Sequence, residues 1–162
     1  MSTQAQRYGW VAGLGGVVIA LDQASKIWVL GALSAARPAI EVTPFLNIVL
    51  VWNRGISFGV LNRESGWQPW LLVGVALVIA AGLLIWLRRL EGRWMVLAIA
   101  LIVGGAIGNV IDRVRFRAVV DFVDFHTGGW HFATFNVADA AITCGVLILL
   151  ADSLFAGRKS PK

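Results

Sequence analysis

Charge and cysteine are both scarce in this sequence. Only 14% of its 162 residues are Asp, Glu, Lys or Arg, and Cys144 is its single cysteine. One cysteine excludes an internal disulfide and a thiolate metal cluster. Neither His126 nor His131 has a second ligand at helical spacing, and no CxxC or HExxH pattern occurs. The sequence therefore predicts neither a metal site nor a cofactor.

Apolar residues, in contrast, are abundant. They make up 58% of the chain, and the mean hydropathy is +0.76. A soluble domain of this size has no interior large enough for so much apolar surface, so lipid is the expected solvent. Residues 67–87 and 94–111 carry no charge, and each run can cross about 30 Å of hydrocarbon as a helix.

Two further apolar runs flank these segments, at 8–33, where Asp22 and Lys26 interrupt it, and at 135–155. We predict an all-α integral membrane protein, with a single domain over 1–162 and transmembrane helices at about 10–33, 67–87, 94–112 and 135–155. The first run also resembles a cleavable secretory signal, because Arg7 precedes it and small residues follow at 32–36. The polar pair within it favours a permanent helix.

The basic residues lie mainly at the ends of apolar runs, so the pI near 10.4 does not indicate a nucleic-acid partner. Four helices place both termini and the 88–93 turn on one side of the membrane. By the positive-inside rule, we expect that side to be cytoplasmic. Its basic residues are Arg7, Arg88, Arg89, Arg93, Arg158, Lys159 and Lys162.

The long connection at 34–66 is expected on the outer surface. Its segment FLNIVLVWN, at 45–53, is rich in β-branched and large apolar residues and is too short to cross the membrane as a helix. We predict a short strand or hairpin there, with 45–60 forming a wall or lid. The second outer connection, at about 113–133, is expected to be a loop that contains VVDFVDF.

Polar residues cluster where the third and fourth helices reach the outer side. Asp112 and Arg113 lie three and four residues after Asn109, and Asp139 lies three residues after Asn136 and four before Thr143. Either Asp121 or Asp124 can then meet Asp139. Two neighbouring carboxylates share a proton and leave one acid and one base beside a water molecule, as in an aspartic protease. The expected orienting donors are Asn53, Asn109, Arg113 and Asn136.

Structural explanations compete with this one. Asp112 and Arg113 can form an ion pair, Asp139 can interact with the dipole of its helix with Asn136 as a cap, and Gly104 and Gly108 can serve helix packing. The charged residues are also compatible with a small transporter. The spacing of Gly104 and Gly108 is compatible with a protein that serves only in membrane assembly. The concentration of Asn and Asp at one end of the bundle favours a site.

Five ordered motifs resemble those of the bacterial lipoprotein signal peptidases, or signal peptidase II. They are LDQASK at 21–26, WNRGISFG at 52–59, GGAIGNVIDR at 104–113, VVDF at 119–122 and FNVADAAI at 135–142. The resemblance implies an aspartic endopeptidase of the bacterial inner membrane, with its active site near the outer face. It would remove the signal peptide of diacylglyceryl-modified prolipoproteins just before the lipid-modified cysteine.

The same resemblance assigns residues and partners. It implies a catalytic pair of Asp121 and Asp139 and a structural polar pair of Asp22 and Lys26. The implied substrate-binding or orienting positions are Asn53, Gly105, Asn109, Arg113 and Asn136. It also implies contact with membrane lipids, inhibition by peptide antibiotics such as globomycin, and a monomer.

The second motif departs from the family pattern. Arg54 and Ile56 make NRGISF bulkier than usual after the glycine, which affects the expected fit of substrate or inhibitor. Asp124 is an additional acid near the pair. We expect it to modulate the titration of that pair.

Overall fold

Four long helices dominate the fold. The computed structural model describes residues 3–34, 36–55, 66–90 and 92–156. The helices are α1 (Gln4–Ala32), α2 (Gln68–Trp86), α3 (Arg93–Phe116) and α4 (Val137–Ala156). Each is long and apolar enough to cross a membrane, which confirms the prediction of four transmembrane helices. The structure extends α3 beyond the predicted boundary at 112, so Arg113 belongs to the helix.

Local signals explain where these helices begin and end. Thr3 caps α1 in a capping box with Gln6, and Pro69 occupies the first turn of α2, where its missing N–H costs nothing. At the other end of α3, Arg117 has a φ of 57°, a left-handed conformation that stops the helix. A 3₁₀ turn at Leu87–Arg89 follows α2 and leads toward α3.

Helix α3 is the central element and packs against α1, α2 and α4. Its small residues allow the close approach. A Cβ added at Gly104 would lie 2.8 Å from the carbonyl oxygen of Gly15 in α1, and one at Gly108 would lie 2.7 Å from Oδ2 of Asp22. Gly104 and Gly108, which were predicted to serve helix packing, therefore face α1. Gly105 faces α4, where an added Cβ would overlap the carbonyl oxygen of Ala138.

A four-stranded antiparallel sheet joins the helices at one end of the bundle. Its strands are β1 (Ala39–Thr43), β2 (Leu46–Asn53), β3 (Val119–Thr127) and β4 (Trp130–His131), in that spatial order. The extended segment predicted at 45–53 is present as β2. The prediction of a loop at 113–133 is wrong over much of its length, because 119–127 forms a strand that pairs with β2 over 119–125 and with β4 over 126–127.

The strand pairing is irregular beside Asp121. The register of β2 against β3 shifts by one residue between Ile48 and Val51, and Val51 is paired with Asp121. Such bulges redirect side chains and commonly lie next to functional sites. Strand β2 pairs with β1 on one side and with β3 on the other. Residues 56–60 of the predicted lid, among them Ile56, lie outside the described residues.

The contact between α3 and α4 predicts the effect of Gly105→Ala. The new methyl group would overlap the backbone oxygen of Ala138 and lie 2.8 Å from Cγ1 of Ile142, so the two helices must separate. We expect the free energy of unfolding, measured in mixed micelles, to fall by about 1–3 kcal/mol.

The matched control is Gly74→Ala in α2, since no described atom lies within 4 Å of a Cβ built there. This change should leave stability unaltered or raise it by up to about 1 kcal/mol, because alanine favours helix. Equal effects of the two substitutions would contradict the packing explanation.

Candidate active site

A buried ion triad lies at the sheet end of the bundle. Nζ of Lys26 is 2.9 Å from Oδ2 of Asp22 and 2.8 Å from Oδ2 of Asp112. All three side chains are at most 2% exposed. The partner of Asp112 is thus the lysine of α1 and not its neighbour Arg113. Buried charges are tolerated only when they are paired and hydrogen-bonded, and here two carboxylates share one cation.

The triad is hydrogen-bonded to several elements of the fold. Oδ1 of Asp22 accepts a bond from the backbone N–H of Ala138 in the first turn of α4, at 2.9 Å. Oδ2 of Asp112 accepts from the N–H of Val120 in β3, at 3.1 Å. The lysine donates to Oδ1 of Asn109 in α3, at 3.2 Å. These contacts fix α1, α3, α4 and β3 relative to one another.

Beside the triad, Asp121 projects from β3 and is 1% exposed. Both of its carboxylate oxygens accept hydrogen bonds from amide groups. Nδ2 of Asn136 donates to Oδ1 at 2.7 Å, and Nδ2 of Asn53 donates to Oδ2 at 2.9 Å. Neutral donors thus orient the carboxylate, and no basic side chain of the described residues forms an ion pair with it.

Asp139 lies in the first turn of α4 and shares Asn136 with Asp121. The N–H of Asp139 donates to Oδ1 of Asn136 at 2.9 Å, and the N–H of Asn136 donates to Oδ2 of Asp139 at 3.3 Å. This reciprocal pattern is a capping box, so the predicted capping contact exists. Nδ2 of Asn109 donates to Oδ1 of Asp139 at 2.8 Å. The two carboxylates therefore belong to one hydrogen-bond network.

The amide of Asn109 is oriented by its neighbours. Its Oδ1 accepts from Nζ of Lys26 and from Nδ2 of Asn136, both at 3.2 Å. With the oxygen facing two donors, the amide nitrogen must face Asp139. The ion triad thereby determines which atom of Asn109 the carboxylate meets.

The electrostatics of this site favour a proton on Asp121. Burial raises the pKa of Asp121 to about 6, and the negative charge of Asp139 acts in the same direction. The hydrogen bonds from Asn53 and Asn136 and the charge of Lys26 oppose this rise without cancelling it. A carboxyl group whose pKa of about 6 lies closer to neutral pH than its ordinary value, beside a second carboxylate, is suited to acid–base chemistry.

The remaining predicted site residues lie at the margin of this network. Arg113 is half-buried and donates to the backbone oxygen of Asn109 at 3.5 Å, and Gly105 lies one helical turn earlier, at the α3–α4 contact. Arg54 is exposed. Asp124 points elsewhere, with Nδ1 of His131 2.9 and 3.0 Å from its two oxygens. Sequence spacing gave no indication of that pairing.

Within the described stretches, no group of three or more His, Cys, Asp or Glu side chains is placed to hold a metal ion. A four-helix bundle with a small sheet at one end and a buried carboxylate network defines a multi-pass membrane protein with a candidate acid–base site. Comparisons with known proteins identify the family to which such a chain belongs.

A model of the Signal peptidase (SPase) II family matches residues 14–155. The lipoprotein signal peptidase of Methylorubrum extorquens is 46% identical over 158 residues, which cover 97% of this chain and 91% of that protein. The lipoprotein signal peptidase of Burkholderia vietnamiensis is 50% identical over 146 residues, covering 88% and 86%. The chain belongs to the signal peptidase II family and is a membrane protease.

The solved structures agree with this assignment. A bacterial membrane enzyme determined by the in meso method at 2.3 Å resolution superposes with a TM-score of 0.82 and 30% sequence identity. The match covers 95% of this chain and 93% of that one. It confirms the predicted fold class.

The ion triad predicts the effect of Lys26→Met. This change leaves two buried carboxylates without their shared cation, so the free energy of unfolding should fall by about 3–5 kcal/mol. Unfolding in mixed micelles measures the loss. Adding Asp22→Asn and Asp112→Asn to the same chain removes the excess charge and should recover most of the stability. An equal loss in the triple variant would rule out charge imbalance as the cause.

Proposed function

We propose that this protease removes the signal peptide from diacylglyceryl-modified prolipoproteins, cutting just before the lipid-modified cysteine, with Asp121 and Asp139 as its catalytic residues. One observation carries the proposal: the two carboxylates are joined through Asn136 in a single hydrogen-bond network at one end of a membrane bundle. The names of the relatives supply the substrate class.

In the proposed reaction, Asp139 is the base and Asp121 is the acid. Ionised Asp139 takes a proton from water, whose oxygen attacks the carbonyl carbon of the scissile bond. Asp121 gives its proton to the carbonyl oxygen, which produces a neutral tetrahedral intermediate. Asp139 then protonates the leaving nitrogen as the C–N bond breaks, and Asp121 recovers a proton from the intermediate as the new carboxyl group forms.

The amide side chains have separate roles in this proposal. Asn53 and Asn136 orient Asp121, and Asn109 orients Asp139. Arg113 would contact the substrate backbone from its half-buried position. Gly105 contributes by allowing α3 and α4 to approach closely. Asp22 and Lys26 act as a structural pair that holds these elements together.

We also propose an inner-membrane location, with both termini cytoplasmic and the site near the outer face. Support comes from the basic residues at the opposite end of the bundle. There Arg7 is hydrogen-bonded to the backbone oxygen of Leu90, and Tyr8 to that of Leu84 at 2.8 Å. The diacylglyceryl chains of the substrate stay in the bilayer, so its scissile bond is held at the depth of the carboxylates.

The partners follow from the same proposal. The prolipoprotein is the substrate, and membrane lipids surround the exposed apolar residues of the helices. The whole chain, 1–162, acts as one peptidase domain and as a monomer. Peptide antibiotics such as globomycin would inhibit it by occupying the substrate position.

Cleavage by the purified protein in detergent micelles tests this function. The substrate is a diacylglyceryl-modified prolipoprotein, and mass spectrometry locates the cut. We expect Asp121→Asn and Asp139→Asn each to lower kcat by about 10²–10⁴-fold, because each removes an acid–base group. Added chelator should have no effect on the rate.

The matched control is Asp152→Asn, an exposed carboxylate of α4 far along the chain from Asp139. It should cleave at the wild-type rate. Full activity in either site variant would refute the proposed dyad, whereas a folded wild-type protein without cleavage would refute the substrate assignment.

The hydrogen bond from Asn53 predicts a change in pH dependence. Asn53→Leu removes a donor that stabilises ionised Asp121, so the pKa of Asp121 should rise above about 6. Because protonated Asp121 is the proposed acid, the alkaline limb of the kcat/KM profile should move to higher pH. Asn47→Leu, the same change elsewhere on β2, should not move it. An alkaline limb shifted to lower pH would contradict the assignment of the acid.

A further inference from the structure

A β-hairpin connects the strand of Asp121 to the helix of Asp139. Strands β3 and β4 pair through His126 with His131 and Thr127 with Trp130. The two residues between the strands, Gly128 and Gly129, have φ of 56° and 82°, as a type I′ turn requires. The position of Asp139 relative to Asp121 therefore depends on how this hairpin turns back.

Asp124 and His131 face each other across the hairpin. Nδ1 of His131 lies 2.9 and 3.0 Å from the two carboxylate oxygens of Asp124. The carboxylate is buried, while the histidine side chain is 57% exposed. His126 is the cross-strand partner of His131, so Asp124, two residues before His126 on β3, is the diagonal neighbour of His131 on the same face of the sheet. The rings of His126 and His131 stack with centroids 5.2 Å apart.

Beyond β4, the chain returns to β3 at Phe135. The backbone oxygen of Phe135 accepts bonds from the N–H groups of Phe122 and Val123, at 3.1 and 2.9 Å, and its own N–H donates to Val123 at 3.2 Å. The next residue is Asn136, whose Nδ2 contacts Asp121. Thus the Asp124–His131 contact closes the hairpin just before the chain enters the carboxylate network.

We propose that Asp124 and His131 are positioning residues: their contact holds the 128–135 segment so that Asn136 presents its amide to Asp121. The inference rests on the proposed function of Asp121 and Asp139. Asp124 lies on the same strand as Asp121, and its described hydrogen bonds go to His131 and not to the carboxylate pair. Its effect on the reaction is therefore carried by the backbone of the hairpin.

Steady-state cleavage of a diacylglyceryl-modified prolipoprotein in micelles tests the pair. His131→Phe keeps the ring stacked on His126 and removes Nδ1, and Asp124→Leu removes the acceptor. We expect each to lower kcat by about 10–100-fold with little change in KM, since small displacements of reacting groups have effects of that size. The double variant should lose no more than either single one.

Two further variants sharpen the test. Asp124→Asn keeps an oxygen acceptor for Nδ1 and should restore most of kcat. His126→Phe makes the same substitution on the neighbouring ring, for which no hydrogen bond to Asp124 is described, and it should cleave at the wild-type rate. Additive losses in the double variant would overturn the proposal. A shift of the acid limb of the pH profile in Asp124→Asn, with maximal kcat retained, would show instead that its charge acts on the pair.

Hydrogen exchange provides a readout that does not depend on cleavage. In His131→Phe, the amides of Val123, Phe135 and Asp139 should exchange faster than in the wild type, while those of α1 should not change. Unaltered exchange at all three would overturn the positioning role. A wild-type protein that fails to cleave would refute the proposed function alone, so the two failures are distinguishable.

Discussion

The sheet end of this protein depends on one buried cation between two buried carboxylates. Lys26 pairs with both Asp22 and Asp112. Oδ1 of Asp22 also accepts a backbone hydrogen bond from α4, and Oδ2 of Asp112, which contacts the lysine, accepts one from β3. In an apolar environment an unpaired charge or N–H group is costly, so these partners cannot separate independently. Together with the hairpin of β3 and β4, the triad therefore fixes the relative position of the two elements that carry Asp121 and Asp139.

The triad orients the side chains around Asp121 and Asp139 through hydrogen bonds, while Lys26 forms no described ion pair with either carboxylate. Asp121 is oriented by amide groups, and the charge of Lys26 is the weakest of the influences on its pKa. Asn109 lies between the cation and Asp139. Its Oδ1 accepts a hydrogen bond from Lys26, and its Nδ2 donates one to Asp139. A lysine in direct contact with either member of the pair would favour its ionised form. The proposed mechanism, in which Asp121 carries a proton, is therefore favoured by neutral hydrogen-bond donors between the cation and the carboxylates.

Several features could be predicted from the sequence because they depend on local geometry and on the solvent. Long apolar runs in a chain of 14% charged residues require lipid, and the rise of a helix per residue gives four crossings. The spacing of Asp22 with Lys26, and of Asn136 with Asp139, places each pair on one helical face, and both pairs are in contact. The family that the motifs indicated is confirmed by the comparisons.

Other features were decided only by tertiary structure. The stretch VVDFVDF forms a strand because it pairs with β2. A local sequence pattern does not identify a partner strand more than sixty positions away. Spacing left Asp121 and Asp124 equivalent, but the strand register directs one toward Asn53 and Asn136 and the other toward His131. The sequence by itself determined the solvent, the helices and the pairs within a turn. The fold decided which distant charges meet, because a hydrogen bond between elements depends on where packing places both.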